Sequence, residues 1–172
     1  MYEVDQERAT CYHEAGHGVV AYLVAGYEVR YVCAGEWPEC RVRARVFEGL
    51  AESWREAMYT LAGSFAEQFD IWGEIYPESF EDALEAASIE SDEPEEGRGD
   101  HFELVECLAD MGGDLESNYY LVVQDTEREV RRLWPEIAAV AGKLLENGYL
   151  DGDECVRVIE SARHRKEEDN GV

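Results

Sequence analysis

Two of the four histidines in the chain stand four residues apart, in His13-Glu14-Ala15-Gly16-His17. On a helix, residues i and i+4 lie one above the other on a single face. Two imidazoles at that spacing can grip one zinc ion. Glu14, beside the first of them, then leans toward the ion's open position. A carboxylate there can take a proton from water and hand it to a leaving amine. Zinc would lower the pKa of a bound water to ~7 and polarise a carbonyl, which is the help a peptide bond needs. The competing reading is a pair of core histidines on a buried face. That reading leaves Glu14 without a purpose, because an apolar face should not contain it.

The motif needs a helix, and the surrounding residues predict one over 5–25. Asp5 can cap it. Ala9, Tyr12, Gly16, Val19, Val20 and Leu23 recur close to a 3.6 period, and Gly26 sits where it should stop. Residues 28–47 alternate instead, with Val42, Ala44 and Val46 opposite Arg41, Arg43 and Arg45. This predicts a two-stranded ribbon broken at Trp37-Pro38. Leu50, Trp54, Ala57, Met58, Leu61, Phe65 and Phe69 predict a helix over 50–72, ended by Gly73. Residues 74–97 hold ten acids and no Lys or Arg. Ser79 and Asp82 mark a short capped helix there, followed by an exposed loop. Like charges should keep this insertion a mobile flap near the metal, gating for basic substrates or left without a role.

A further helix is expected from Gly99–Asp100 to Met111, with Phe102, Val105 and Leu108 inward and Gly112-Gly113 as its break. Residues 115–147 read as helix with a kink or break at Trp134-Pro135 and a stop at Asn147-Gly148. Asp151 opens a last helix to about Ala162, and residues 163–172 read as a frayed, charged tail. The expected architecture is one mostly α domain over 1–172 with one small β ribbon.

Composition narrows the partners. Acids outnumber bases 40 to 15 in 172 residues, a formal charge of −25. A nucleic-acid backbone or an anionic membrane needs clustered Lys and Arg, so neither is expected as a partner. The five cysteines are odd in number and widely spaced, which predicts free, buried thiols in a reducing compartment. No signal peptide is visible, and the longest apolar stretch, Val19 to Gly26, is too short to span a bilayer. A soluble, cytoplasmic protein is the expectation. No GxxxxGK[ST] phosphate loop occurs in the chain.

The segment ATCYHEAGHGVVAYLVAG resembles the active-site helix of the FtsH family, the ATP-dependent zinc metalloproteases of membranes, which reads HEAGHA before small and branched apolar residues. LAGSFAEQF at 61–69 is similar to that family's LAGRAAEEL helix. GRGDHFELVECLADM at 97–111 is similar to its SNDL segment. AAVAGKLLENGYLDGDECVRVI at 138–159 is similar to its last helices. The resemblance covers nearly the whole chain, as the peptidase domain alone, and implies a helical zinc-peptidase fold. It also implies that Asp100, at the Asp of the SNDL segment, is the third zinc ligand. Arg98-Gly99 replaces the family's Ser-Asn just before it.

The residues alone leave other ligand sets open. Glu67, on the second predicted helix, is the competing third ligand, with Asp70 a weaker candidate one turn on. Asp100 itself can instead be a helix N-cap, paired with Glu103 in a capping box. His101 points away from its neighbour Asp100 on a helix, and His164 lies in the charged tail. Gly16 and Gly18 predict either a close approach near the metal or plain helix packing. The arginines at 41, 43 and 45 read as a solvated strand face. The resulting expectation is an ATP-independent zinc metallopeptidase acting on unfolded or extended polypeptide. His13, His17 and Asp100 would bind Zn2+, and Glu14 would be the catalytic base. A separate substrate-delivering or regulatory protein is a possible partner. The alternative is a zinc-binding regulatory or interaction protein that kept the fold without useful turnover.

Overall fold

The computed structural model describes residues 5–35, 38–43, 50–92 and 99–170. The first helix, α1, spans Gln6–Val20 and is capped by Asp5, whose carboxylate accepts from the Arg8 N–H at 3.2 Å. It passes directly into a π-helical turn, Ala21–Ala25, closed by Gly26 in the left-handed region at φ 71°. Ten of its residues are buried, including Ala15, His17, Val19 and Val20. A helix buried on most of its faces is a central one. α1 packs against α2 (Leu50–Trp72) on one side and α6 (Trp134–Asn147) on another. Gly16 is what lets α2 come so close. A Cβ there would collide with the Ala62 carbonyl oxygen and the Ala66 methyl. Of the two readings of Gly16, the structure shows the close approach of another segment, made here by α2.

Strands β1 (Glu28–Cys33) and β2 (Glu39–Arg43) form the expected ribbon, pairing antiparallel with an irregularity between Val29 and Tyr31. The ribbon gains a third strand, β3 (Tyr149–Asp151), antiparallel to β1, so the order is β2-β1-β3. Val32, fully buried, seats β1 on α1 at Gly18, where a Cβ would lie 3.1 Å from the valine methyl. Half-buried Val42 sits between exposed Arg41 and Arg43, as the alternation predicts. Trp37, Ala44, Arg45 and Val46 lie outside the described residues.

Three expectations are corrected. The first part of the acidic run is not a loose flap. Helix α3 covers Phe80–Asp92, held at its start by Ser79, whose Oγ accepts from the Asp82 N–H at 3.1 Å. Ala83 and Ala87, four residues apart, are buried against α4 (Asp100–Met111) and α5 (Leu115–Arg132). Residues 93–97 of the run lie outside the described residues. In α4 the buried side chains are Leu104, Cys107 and Leu108, rather than Phe102 and Val105. The last helix, α7 (Gly152–Asn170), does not stop near Ala162. It is capped by Asp151, whose carboxylate accepts from the Glu154 N–H at 2.7 Å, and it buries Cys155, Ile159 and Ala162. No breaker follows until Gly171, so the charged residues continue the same helix.

The other boundaries fall where the glycines put them. Gly73, Gly112, Gly113 and Gly148 all have positive φ. α5 and α6 meet at Leu133, with Pro135 in the first turn of α6. Trp134 ties three helices together, stacked on Tyr12 of α1 at 5.2 Å between centroids and meeting Phe69 of α2 edge-on at 4.7 Å. All five cysteines are free, three of them buried. Among the described residues, no helix is long and apolar enough to cross a membrane.

Candidate metal centre

α1 carries His13 and His17 one turn apart, and their Nε2 atoms lie 3.1 Å from each other. Asp100, the first residue of α4, brings Oδ2 to 3.2 Å from the His13 Nε2 and 3.3 Å from the His17 Nε2. Three potential ligand atoms therefore form a nearly equilateral triangle. The outward nitrogen of each imidazole is already engaged. The His17 Nδ1 lies 2.8 Å from the Tyr59 carbonyl oxygen on α2. The His13 Nδ1 lies 3.2 Å from the Glu67 Oε2, also on α2.

These partners fix the proton positions. A carbonyl oxygen only accepts, so the His17 Nδ1 carries the proton and its Nε2 presents a lone pair to the triangle. Glu67 imposes the same tautomer on His13. Two lone pairs and a carboxylate oxygen at this separation repel unless a cation or a proton sits among them. Burial opposes protonation of His13, but Asp100 and Glu67 outweigh it and push the imidazole up to about 10. Asp100 shows the mirror effect. Burial pulls its carboxyl up, while His17 and His13 hold it well below the usual carboxylate range. The geometry fits zinc. Bonds of 2.0–2.2 Å in a tetrahedron give ligand separations of about 3.3–3.6 Å, close to the sides observed here.

Glu14 is only 7% exposed, although its neighbour His13 faces the triangle. Burial pushes its carboxyl above the ordinary range, with His17 and His13 pulling it partly back. It lines a cleft of about 370 Å³ together with the three triangle residues, Tyr59, and residues 38–42 at the edge of the sheet. β2 is the outer strand, so its far edge is unpaired by another strand among the described residues. A larger groove of about 560 Å³ runs between α6 and α7, lined by Gly142, Lys143, Arg157 and neighbours, away from the histidines.

The structure thus gathers His13, His17 and Asp100, which form the one such cluster of metal-ligating side chains among the described residues. Glu67 is not part of it and stands behind His13. Asp70 is not part of it either. It receives both the Nε and an Nη of Arg8 at 2.6 Å, tying the start of α1 to the end of α2. Asp100 is not an N-cap, because that position is Gly99. His101 points away from the triangle, as the 100° step predicts, and is held by Glu90 and Glu78.

Two contributors were not foreseen from the sequence. One is the Tyr59 carbonyl, which no side-chain pattern can reveal. The other is Gly63, in the middle of α2. A Cβ there would collide with the Nε2 of both histidines. Its signal was available, since a glycine inside a helix costs about 1 kcal/mol against alanine and asks for a reason. No protein-family model and no curated protein matches this chain.

Proposed function

We propose that the chain is a zinc metallopeptidase in which His13, His17 and Asp100 hold the ion and Glu14 is the catalytic base. The observation that carries this is the placement of the His17 ring, with Nδ1 2.8 Å from the Tyr59 carbonyl oxygen and Nε2 turned inward, 3.1 Å from the His13 Nε2. The resemblance of residues 9–26, 61–69, 97–111 and 138–159 to FtsH-type peptidases supports the same reading.

Zinc held there would polarise a scissile carbonyl and make water more acidic. The protein's own groups do the rest. An extended substrate can pair with the outer edge of β2, which runs along the cleft. The Glu14 carboxylate accepts a proton from the attacking water, and the same proton goes to the amine nitrogen that leaves, so the residue ends as it began. Burial raises its affinity for protons, which helps it hold the proton between the two transfers. Hydrolysis by this chain is expected to be ATP-independent and restricted to loose polypeptide.

The test is a pair of measurements on wild type and Glu14→Gln. Both should bind one zinc per chain, because Glu14 is outside the triangle. Only wild type should cleave an unfolded protein, with a loss of several orders of magnitude in the variant. Equal cleavage by both would reject the mechanism. Zinc in both with cleavage in neither would leave the non-hydrolytic zinc-binding protein as the function.

A further inference from the structure

We propose that Glu90 of α3 aims Asp100, by serving as a borrowed N-cap for α4. This rests on the metal-site reading above.

Helix N-caps favour Ser, Thr, Asp or Asn, whose side chain accepts the N–H of the second or third helical residue. The N-cap of α4 is Gly99, which has no side chain to offer. The N–H of Phe102, third in the helix, donates instead to the Glu90 Oε2 at 2.8 Å. The other oxygen of the same carboxylate lies 2.8 Å from the His101 Nδ1. The far nitrogen of His101 is 2.7 Å from the Glu78 Oε1, just before α3. The two residues after Asp100 are therefore pinned, one by its side chain and one by its backbone.

Gly99 and Glu90 form a matched pair. Gly99 has φ −79° and ψ 168°, an extended conformation open to any residue. Conformation is thus not why glycine stands there. A Cβ at Gly99 would collide with the carboxyl carbon and both oxygens of Glu90. Glycine leaves the room that the borrowed cap occupies. The carboxylate also complements the positive end of the helix dipole.

The target of this support is the most exposed member of the triangle. The Asp100 side chain is 42% exposed, against 25% for His13 and 7% for His17. It sits on the first residue of a helix, where ends fray unless capped. Glu90 also lines, with His13, Asp100 and His101, a cavity of about 140 Å³. Glu90 is a positioning residue: it touches neither the triangle atoms nor the substrate cleft.

The experiment measures zinc affinity by chelator competition, and the visible absorption of the Co2+-substituted protein, in the full chain. Circular dichroism checks folding in each variant. Glu90→Ala should weaken zinc binding about 10–100-fold and alter the Co2+ spectrum. Gly99→Asp alone should also weaken binding, through its collision with Glu90. The double variant Glu90→Ala with Gly99→Asp should return to within a few-fold of wild type, because the cap is restored from the helix itself. A merely structural role for Glu90 would not predict that rescue. Glu90→Gln should fall between wild type and Glu90→Ala, since its amide oxygen can still accept from Phe102. If Glu90→Ala does not fold, Glu90→Gln decides, and wild-type affinity and spectrum in it overturn the proposal. So does a folded Glu90→Ala with wild-type affinity, or a folded double variant no better than Glu90→Ala. Failure of wild type to bind zinc would instead defeat the metal-site reading itself.

Discussion

Glu67 stands behind His13, with Oε2 3.2 Å from Nδ1, on the ring nitrogen opposite the one that faces Asp100. A carboxylate in that place orients an imidazole and strengthens its other nitrogen as a donor. Glu67→Ala is therefore expected to weaken zinc binding about 10–100-fold without abolishing it. His13→Ala, His17→Ala and Asp100→Ala should each lose most of the zinc. Metal analysis after dialysis against a weak chelator separates the two classes. An empty site in Glu67→Ala beside a full one in Asp100→Ala would reverse the assignment.

Gly63→Ala offers a sharper contrast. Alanine favours a helix interior by about 1 kcal/mol over glycine, so the helix itself should gain. The added methyl would enter the space of both Nε2 atoms. We expect helical circular dichroism close to wild type, with zinc affinity reduced at least as much as in Glu67→Ala. Wild-type affinity in this variant would show that the histidines yield easily.

The cleft should prefer basic peptides. Glu39, Glu56 and Glu103 line it beside Glu14 and Asp100, and the one arginine among its described lining residues, Arg41, is paired with Glu39 at 3.2 Å. Among the described residues, no acid of 74–92 lines this cleft. A lysine-rich peptide should bind Glu14→Gln several-fold more tightly than a glutamate-rich one of equal length. Raising the salt concentration should shrink the gap. Fluorescence anisotropy reads both. Equal binding at low salt would contradict the prediction.

Acid stability should register the cap of α5. The Ser117 hydroxyl and backbone N–H both donate to Asp114 and hold its carboxyl below the usual range. A group with a depressed folded pKa stabilises above its unfolded pKa, near 3.9, and loses that contribution as pH falls through the folded value. Asp114→Ala should melt at a lower temperature than wild type at neutral pH. The gap should close at the acid end, measured in dilute solution because the isoelectric point is near 4.3. A gap that persists unchanged at low pH would exclude the carboxylate as its source.

Local pattern made the motif helix legible. Asp5, the apolar period and Gly26 all agreed with the fold, and so did the breaks at Gly73, Gly112 and Gly148. What the sequence hid was pairing at a distance. β3 is three residues long and contributes one buried side chain, Leu150, too little for a periodic signal. The charge of α3 concealed a narrow apolar face at Ala83 and Ala87. In the site, His13, Glu14 and His17 stood out because they share one turn. Asp100 needed a resemblance to find it, since it lies 87 positions from His13. Glu67 has the right residue type and helix for a ligand, and only the ring nitrogen it meets tells support from coordination.

The contact at Gly16 also shapes the triangle. With no side chain between them, α1 and α2 meet backbone to side chain at Ala62 and Ala66, so the two histidines and their anchors, Tyr59 and Glu67, belong to one stiff unit. The remaining corner of the triangle belongs to α4 and is open to water. The triangle is therefore lopsided: its imidazole pair sits on the seam between α1 and α2, and its carboxylate corner is the side that solvent reaches.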